Sequence, residues 1–563
     1  MPDVTAFPLP VRRFGLSRKE AALAGLVALA IAIAILLLGP APGDAPAHLY
    51  RTLLVRRGDF VWDNLWFEGV YPLADYSVLY YLPAALVGNL ALVLVSAALS
   101  AWLFARIFLE RWGEQAKWPA RIAGVLCAAP AFTGLFAYSL GVVAMLGAIR
   151  ALQRGRVGAY GVLAALTLGF SPLAFLFLLL LLAASFCAHP RLDRRNLVIG
   201  VIAVGLAGLE AYLLKLFPSP GVYPFNRYDF ASLLALCVCG ALLARRAPGG
   251  RVMVAFFLLW AVAAIVAFAT PSPIGDNITR LRSLVLPLML LVGILTHFRP
   301  RWLAVLAISG ALGYNLVPYF MLIPYRLDPR PQHRAFWQPA LTFLDRDEAP
   351  NYRVEVVETA GNWESYWFPR EGFPLVRGWY RQLDLARNPV LFNSSTTGAA
   401  YIAWLRSVGV RYVVVPHTTL DPRVGTSELH LVEHAGRQLR RVLAAPTLTV
   451  YEVRNATPIL TGPGPARLTT FGASTIAGSV AAPGSYRLRV QPTPYLQVRA
   501  GNVCVEPAPG GESTLVVRTA GRFELAVPEN PLDLIDESAL ASCSHKTSRQ
   551  PRTGTSPTPI ARR

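Results

Sequence analysis

Ala21 to Gly39 is a run of 19 residues without a charged side chain. At about 1.5 Å of rise per residue, a helix of that length crosses the roughly 30 Å hydrocarbon core of a bilayer. Eight more apolar runs follow, at residues 78–105, 122–149, 157–187, 197–216, 230–244, 252–270, 282–297 and 302–323. Only helices or closed barrels satisfy backbone hydrogen bonds in lipid, and runs this long read as helices. Composition agrees: of 563 residues 54% are hydrophobic and 15% charged, and mean hydropathy is +0.43. Gly and Pro are scattered without a period, which excludes a collagenous or low-complexity chain.

The net charge of +20 would fit nucleic acid, but its placement points to a membrane instead. Up to residue 323 there are 26 Lys or Arg and 13 acids, and 19 of the 26 lie in the N-terminal tail or in five connectors. The connectors run from Arg106 to Arg121, Arg150 to Arg156, Arg191 to Arg195, Arg245 to Arg251 and Arg299 to Arg301. This is the positive-inside pattern, so tail 1–20 and the connectors are expected in the cytoplasm and no nucleic-acid partner is expected. Gly-Pro-Ala-Pro-Gly-Asp after the first run does not resemble a cleavage site, so that span is expected to stay attached.

The runs 122–149 and 157–187 each begin and end at a basic connector and break in the middle, at 129–134 and 169–172. Reading each as a hairpin of two short helices keeps both ends on one side. The membrane domain, 21–323, then has eleven spans; nine if each run is a single helix. The C-terminus is outside either way. Half-length helices need a protein or water-lined surrounding, so the hairpin tips are expected to border a site on the outer side, next to the long first loop 40–77.

The 240 residues after 323 carry 27 basic and 20 acidic residues. Strand-like runs at 353–359, 411–416 and 448–453 and helix-like runs at 337–345 and 399–408 predict an exoplasmic α/β domain over 324–460. Alternating segments at 485–490 and 513–518 predict a small β-sandwich over 461–530. The basic tail 531–563 is expected to be disordered. Cys127, Cys187, Cys237 and Cys239 lie in apolar runs and are expected to pack, whereas Cys504 and Cys543 could form a disulfide in an oxidising compartment.

No nucleotide loop, zinc-protease helix or hydrolase elbow stands in a suitable context. Chemistry-bearing residues are densest in the first loop: Asp44, His48, Arg51, Arg56, Arg57, Asp59, Asp63, Glu68 and Asp75 alternate with Tyr50, Trp62, Trp66, Tyr71 and Tyr76, and Tyr80 and Tyr81 follow. Carboxylates accept hydroxyl protons, Arg pairs with phosphate and rings cover sugar faces, so Arg51, Arg57, Asp59, Trp62 and Tyr71 are candidates for binding a phosphorylated saccharide. The plainer reading is an interfacial aromatic belt with solvated ions. Asp44, five residues past the first span, has two readings that can coexist: a desolvated base, and a helix N-cap before Ala45-Pro46.

Gly43-Asp44-Ala-Pro-Ala-His48-Leu-Tyr-Arg51, Arg57-Gly58-Asp59-Phe-Val-Trp62, Gly69-Val-Tyr71-Pro72 and Tyr80-Tyr81 together resemble the first exoplasmic loop of GT-C superfamily membrane glycosyltransferases. Within that superfamily they resemble a branch of large bacterial, mainly actinobacterial, membrane proteins. Asn362-Trp363-Glu364, the stretch from Arg377 to Asp384 and the stretch from Tyr401 to Pro416 are similar to patches of that branch. The resemblance implies a mainly α polytopic bundle followed by outer domains, and transfer of a sugar from a polyprenyl-phosphate donor to a glycan or lipid acceptor with inversion. It implies Asp44 as the catalytic base. Arg280 and Arg282 are candidates for a phosphate clamp, His48 for orienting Asp44, and Glu210, an acid inside a span, for lining the donor groove. Gly43 and Ala45 flank Asp44 without a second acid, so neither a divalent metal nor any other cofactor is expected. The aromatic residues Trp363, Tyr366, Trp367, Trp379, Tyr380 and Trp404 either pack a core or bind acceptor glycan. A transporter or lipid-linked-saccharide flippase, and a non-catalytic envelope scaffold, are the competing functions.

Overall fold

A helix in lipid closes its own backbone hydrogen bonds, and where a helix breaks, some other part of the chain must close them. The computed structural model describes residues 14–74, 76–219, 221–297, 299–323, 327–346, 350–528 and 541–543. Its first helix is α1 (Phe14–Leu38), and the long loop after it carries α2 (Ala45–Arg57) and α3 (Tyr81–Val87). The bundle continues through α4 (Asn89–Trp112), α5 (Lys117–Leu126), the single turn α6 (Pro130–Thr133), α7 (Phe136–Gln153), α8 (Val157–Phe170) and α9 (Pro172–Ala188). It ends with α10 (Arg194–Leu216), α11 (Arg227–Ala244), α12 (Gly250–Ala269), α13 (Arg282–Thr296) and α14 (Arg301–Leu322).

Seven helical stretches among the described residues are long and apolar enough to cross a membrane: Ser17–Leu38, Asn89–Thr133, Phe136–Gln153, Arg194–Leu216, Arg227–Ala244, Gly250–Ala269 and Gly275–Thr296. This is a membrane protein; seven stretches among the described residues have spanning length, against the eleven spans expected, four of them short hairpin helices. α8 has 14 residues and rises only about 21 Å. Two boundaries also move: α1 begins inside the expected tail 1–20, and Gly88 splits the run 78–105 so that the long helix begins at Asn89.

Both interrupted runs do return to the same end. Glu110, late in α4, pairs with Arg106 and with Arg150 at the end of α7. Arg106 donates to Ser17 in α1 at 3.0 Å, and Arg121 of α5 pairs with Glu20 at 2.9 Å. Arg195 donates to the Leu152 carbonyl at 2.6 Å, joining the connector after α9 to the one before α8. At the opposite end the long loop closes the broken backbones. The Gly43 and Asp44 amides donate to the Phe132 and Thr133 carbonyls at 3.3 and 3.0 Å, and the Leu79 amide to Gly169 at 2.8 Å. Ser77 Oγ donates to the Phe170 carbonyl at 2.8 Å.

The α/β domain comprises α15 (Arg334–Arg346), β1 (Arg353–Val356), α16 (Glu364–Arg370), α17 (Arg381–Arg387), α18 (Gly398–Ser407), β2 (Val410–Pro416), α19 (Gly425–Glu433), β3 (Leu439–Ala444) and β4 (Leu448–Val453). Its sheet has the order β1-β2-β4-β3, with β1 and β2 parallel and the other pairs antiparallel. Val413 packs on the side of α18 and α19 and Val414 on the side of α15 and α16, which is why β2 reads as an unbroken apolar run. Next come β5 (Leu460–Thr461), β6 (Ala466–Phe471), β7 (Thr475–Val480), β8 (Gly484–Leu488), β9 (Gln497–Ala500), β10 (Val503–Pro507), β11 (Ser513–Val517) and β12 (Gly521–Ala526). They form two antiparallel sheets, β10-β11-β8-β5 and β6-β7-β12-β9, with Leu515 and Val517 of β11 facing inward at the period of two. Cys504 and Cys543 form a disulfide with Cα atoms 5.0 Å apart. Of the stretch 531–563, expected to be disordered, only 541–543 is described, and it is ordered: Val505 and Ala541 donate to Ala541 and Leu496, both at 2.7 Å.

Inside the α/β domain Arg377 is buried among carboxylates. It binds both oxygens of Asp384, donates to Glu428 at 3.1 Å and to Glu358, and lies 3.6 Å from Glu355. Arg381 bridges Glu358 and Asp421 at 3.2 and 3.1 Å. Removing one partner from a buried ion cluster leaves unmatched charge, so Arg377→Met should cost about 3–5 kcal/mol of stability, read from chemical denaturation. Burial pushes the carboxyl groups of Glu428 and Glu364 up to about 7 and about 8. Raised carboxyl pKa values favour the folded state only while its protons are retained. Stability should therefore fall as pH rises from about 5 to about 8, and Glu364→Gln should flatten that slope in melting curves.

Candidate functional site

Where α1 ends, the chain turns through 39–43 and enters α2 at Asp44. Asp44 stands at the N-cap with Pro46 in the first turn, yet its side chain makes no capping hydrogen bond. The base reading and the cap reading therefore separate: the residue has the position of a cap, and its half-buried side chain lies within electrostatic range of Arg280. Its backbone is gripped by the α5–α7 hairpin tip. Gly134 there has φ 85°, and a Cβ on it would lie 2.4 Å from the Asp44 nitrogen. Both facts require glycine.

One turn along α2, His48 is fully buried. Arg51 donates to the Tyr81 hydroxyl at 3.3 Å, and that hydroxyl lies 3.1 Å from His48 Nδ1. The Tyr81 phenol thus links the Arg51 guanidinium to the imidazole of His48. Burial first, then the Arg51 and Arg280 cations, hold its pKa well below 6.5. Arg51 itself sits in an aromatic cage, its guanidinium carbon 4.4 Å from the Tyr380 ring centre, 4.8 Å from Tyr76 and 5.6 Å from Trp66.

Arg280 reaches the same place from the 3-10 turn Gly275–Leu281. It lies within electrostatic range of Tyr76, Asp44, Tyr223 and Asp276. Burial, with Asp276 second, pushes the Tyr223 phenol up to about 12, so it remains a hydrogen-bond donor at neutral pH. The structure thus gathers Asp44, His48, Arg51 and Arg280, together with Tyr76, Tyr81, Tyr223, Asp276 and Tyr380. Tyr223 carries no distinctive sequence signal, being a lone aromatic in a loop.

The other candidates lie elsewhere. Arg282 is committed to Tyr314, 4.8 Å from that ring. Glu210 is half-buried on α10, a helix whose one buried residue is Ala203, and no ion pair with Lys215 forms among the described residues. Arg57, Asp59, Trp62 and Tyr71 hold the loop to the C-terminal domains. Arg57 donates to the Arg370 carbonyl at 2.9 Å, Asp59 accepts from Ser474 at 2.5 Å, and the Tyr71 hydroxyl meets Thr493 at 3.3 Å. Trp62 is buried against Tyr71, with ring centres 5.0 Å apart. The outer aromatic residues are likewise buried or half-buried, the packing alternative.

The seam is tight. A Cβ on Gly378 would sit 2.6 Å from Trp66, so the Arg377–Tyr380 segment, fixed by the acidic network, presents Tyr380 to Arg51. Beside Gly43 a shallow open cleft separates the loop from the C-terminal ends of β1 and β2; Gln332, Thr359, Trp363, Thr418 and Thr419 line it. The hairpin tip at 132–133, expected to border a site on the outer side, packs directly on the loop at Gly43 and Asp44 beside this cleft. Asp328 lines the cleft as well and accepts from Thr418 at 2.6 Å; ligands in α/β sheets sit outside the carboxyl ends of strands, and a carboxylate among hydroxyl, amide and indole groups suits a polyol.

No protein-family model matches the chain, and no curated protein is significantly similar to it.

Two outcomes follow. The His48 imidazole should show no titration between about pH 5 and about pH 8 by NMR, because burial disfavours its charged form. Gly134→Val should lower the melting temperature by several degrees, since a β-branched residue at positive φ costs about 1–2 kcal/mol before any clash.

Proposed function

We propose that the protein is an integral membrane glycosyltransferase of GT-C type, transferring a sugar from a polyprenyl-phosphate donor to a glycan or lipid acceptor on the exoplasmic face, with inversion, for cell-envelope assembly. The observation that carries this reading is the half-buried Asp44 within electrostatic range of the Arg280 guanidinium, next to a polar cleft. The basic connectors gather at the other end of the bundle, which supports a cytoplasmic N-terminus and outward-facing C-terminal domains. The disulfide supports an oxidising compartment for those domains. In this reading α8 and α9, and α5 with α7, are re-entrant pairs, which brings the apolar segments to eleven.

In the reaction, Asp44 accepts the proton of the acceptor hydroxyl as its oxygen attacks the anomeric carbon. The bond from that carbon to the phosphate oxygen breaks on the opposite face, inverting the centre. Arg280 and the phenols of Tyr76 and Tyr223 stabilise charge on the departing phosphate. Neutral His48 contributes position without adding a charge that would weaken Asp44 as a base.

The test uses purified protein in liposomes with radiolabelled polyprenyl-phosphate sugar and envelope lipid acceptors. The wild type should form product, Asp44→Asn should lose about 10²–10⁴-fold in rate while keeping the fold, and Arg280→Ala should lose about 10²–10³-fold. Gln332→Trp, which fills the cleft, should raise the acceptor KM. Movement of labelled lipid between leaflets without product would favour a flippase, and an envelope phenotype unaffected by Asp44→Asn would favour a scaffold.

A further inference from the structure

Away from that site, three side chains at the end of α19 converge on solvent: the ligand-capable atoms of His430, Glu433 and His434 lie within 4.8 Å of one another. Spacings of three and four residues place them on one helix face. The opposite face of α19 is anchored, with Leu431 and Val432 in the core and Glu428 bound by Tyr401 at 2.9 Å and by Arg377 at 3.1 Å. The backbone at the converging end is fixed as well: a Cβ on Gly398 would meet the His434 carbonyl oxygen at 2.5 Å.

His434 Nδ1 lies 2.8 Å from the His430 carbonyl oxygen. A carbonyl only accepts, so Nδ1 carries the proton and donates, and the lone pair is on Nε2. Metal-binding imidazoles are held this way, with one nitrogen tied to a carbonyl and the other aimed at the ion. The two rings are already 3.9 Å apart between centroids. Two imidazoles and one carboxylate favour zinc and its neighbours over magnesium or calcium, which prefer all-oxygen sets. Ligand bonds of about 2.0–2.2 Å need only rotamer adjustments of exposed side chains.

We propose that His430, Glu433 and His434 form a Zn²⁺ site with water in the fourth position. It is separate from the Asp44 centre and does not depend on the transferase reading. A bound ion staples the last turn of the short helix that holds Glu428 in the Arg377 network.

Tag-free, metal-stripped full-length protein in detergent, titrated with Zn²⁺ in a calorimeter, should take up one equivalent that is absent from the His430→Ala/His434→Ala variant. Glu433→Gln, which keeps the helix, should weaken uptake. Zn²⁺ should raise the melting temperature of the wild type but not of the double variant, and Mg²⁺ should leave both unchanged. No uptake by the wild type, or uptake that persists in the double variant, overturns the proposal.

Discussion

Broken helices leave carbonyls without partners, and in this protein the loop that follows α1 supplies them. The Phe132 and Thr133 carbonyls accept from Gly43 and Asp44, and Gly169 and Phe170 accept from Leu79 and Ser77. A buried carbonyl left unpaired costs several kcal/mol in lipid. The same bonds that make the hairpins tolerable therefore fix where Asp44 stands. The rest of the site follows from that anchor, since α2 begins there and carries His48 and Arg51 inward.

The second dependence runs through the α/β domain. Arg377, surrounded by acids, holds the chain so that Gly378 lies on Trp66 and Tyr380 lies over Arg51. A buried guanidinium among rings, with a phenol relaying to a neutral imidazole, keeps positive charge near Asp44 without placing it on His48. Electrostatics and packing here are one construction: the outer domain completes the aromatic cage that the membrane domain begins.

Much of this is legible in the sequence because lipid permits few answers. Uncharged runs become helices, Pro and Gly at 129–134 and 169–172 mark real breaks, and period-two segments become the sandwich strands. Span count is less legible, because hydropathy does not distinguish a 14-residue helix such as α8 from part of a longer one. Asp44 and Arg280 stand out as charges next to apolar runs. Arg282 stands out equally but faces Tyr314, because two positions along a 3-10 turn differ by about 240° in direction. Tyr71 and Asp59 mix ring and charge as a sugar site does, yet their bonds to Thr493 and Ser474 come from residues more than 400 positions away, and no local pattern announces such partners. The strand β3 escapes notice because its Arg440 and Arg441 are exposed on an edge.

The most direct measurement is an electron cryo-microscopy map of the protein with a polyprenyl phosphate bound. The account predicts density for the phosphate within hydrogen-bond reach of Arg280 and beside Asp44, at the end of the bundle that carries the C-terminal domains. A phosphate bound among Arg106, Arg150 and Arg154 at the other end, with none near Asp44, would contradict it.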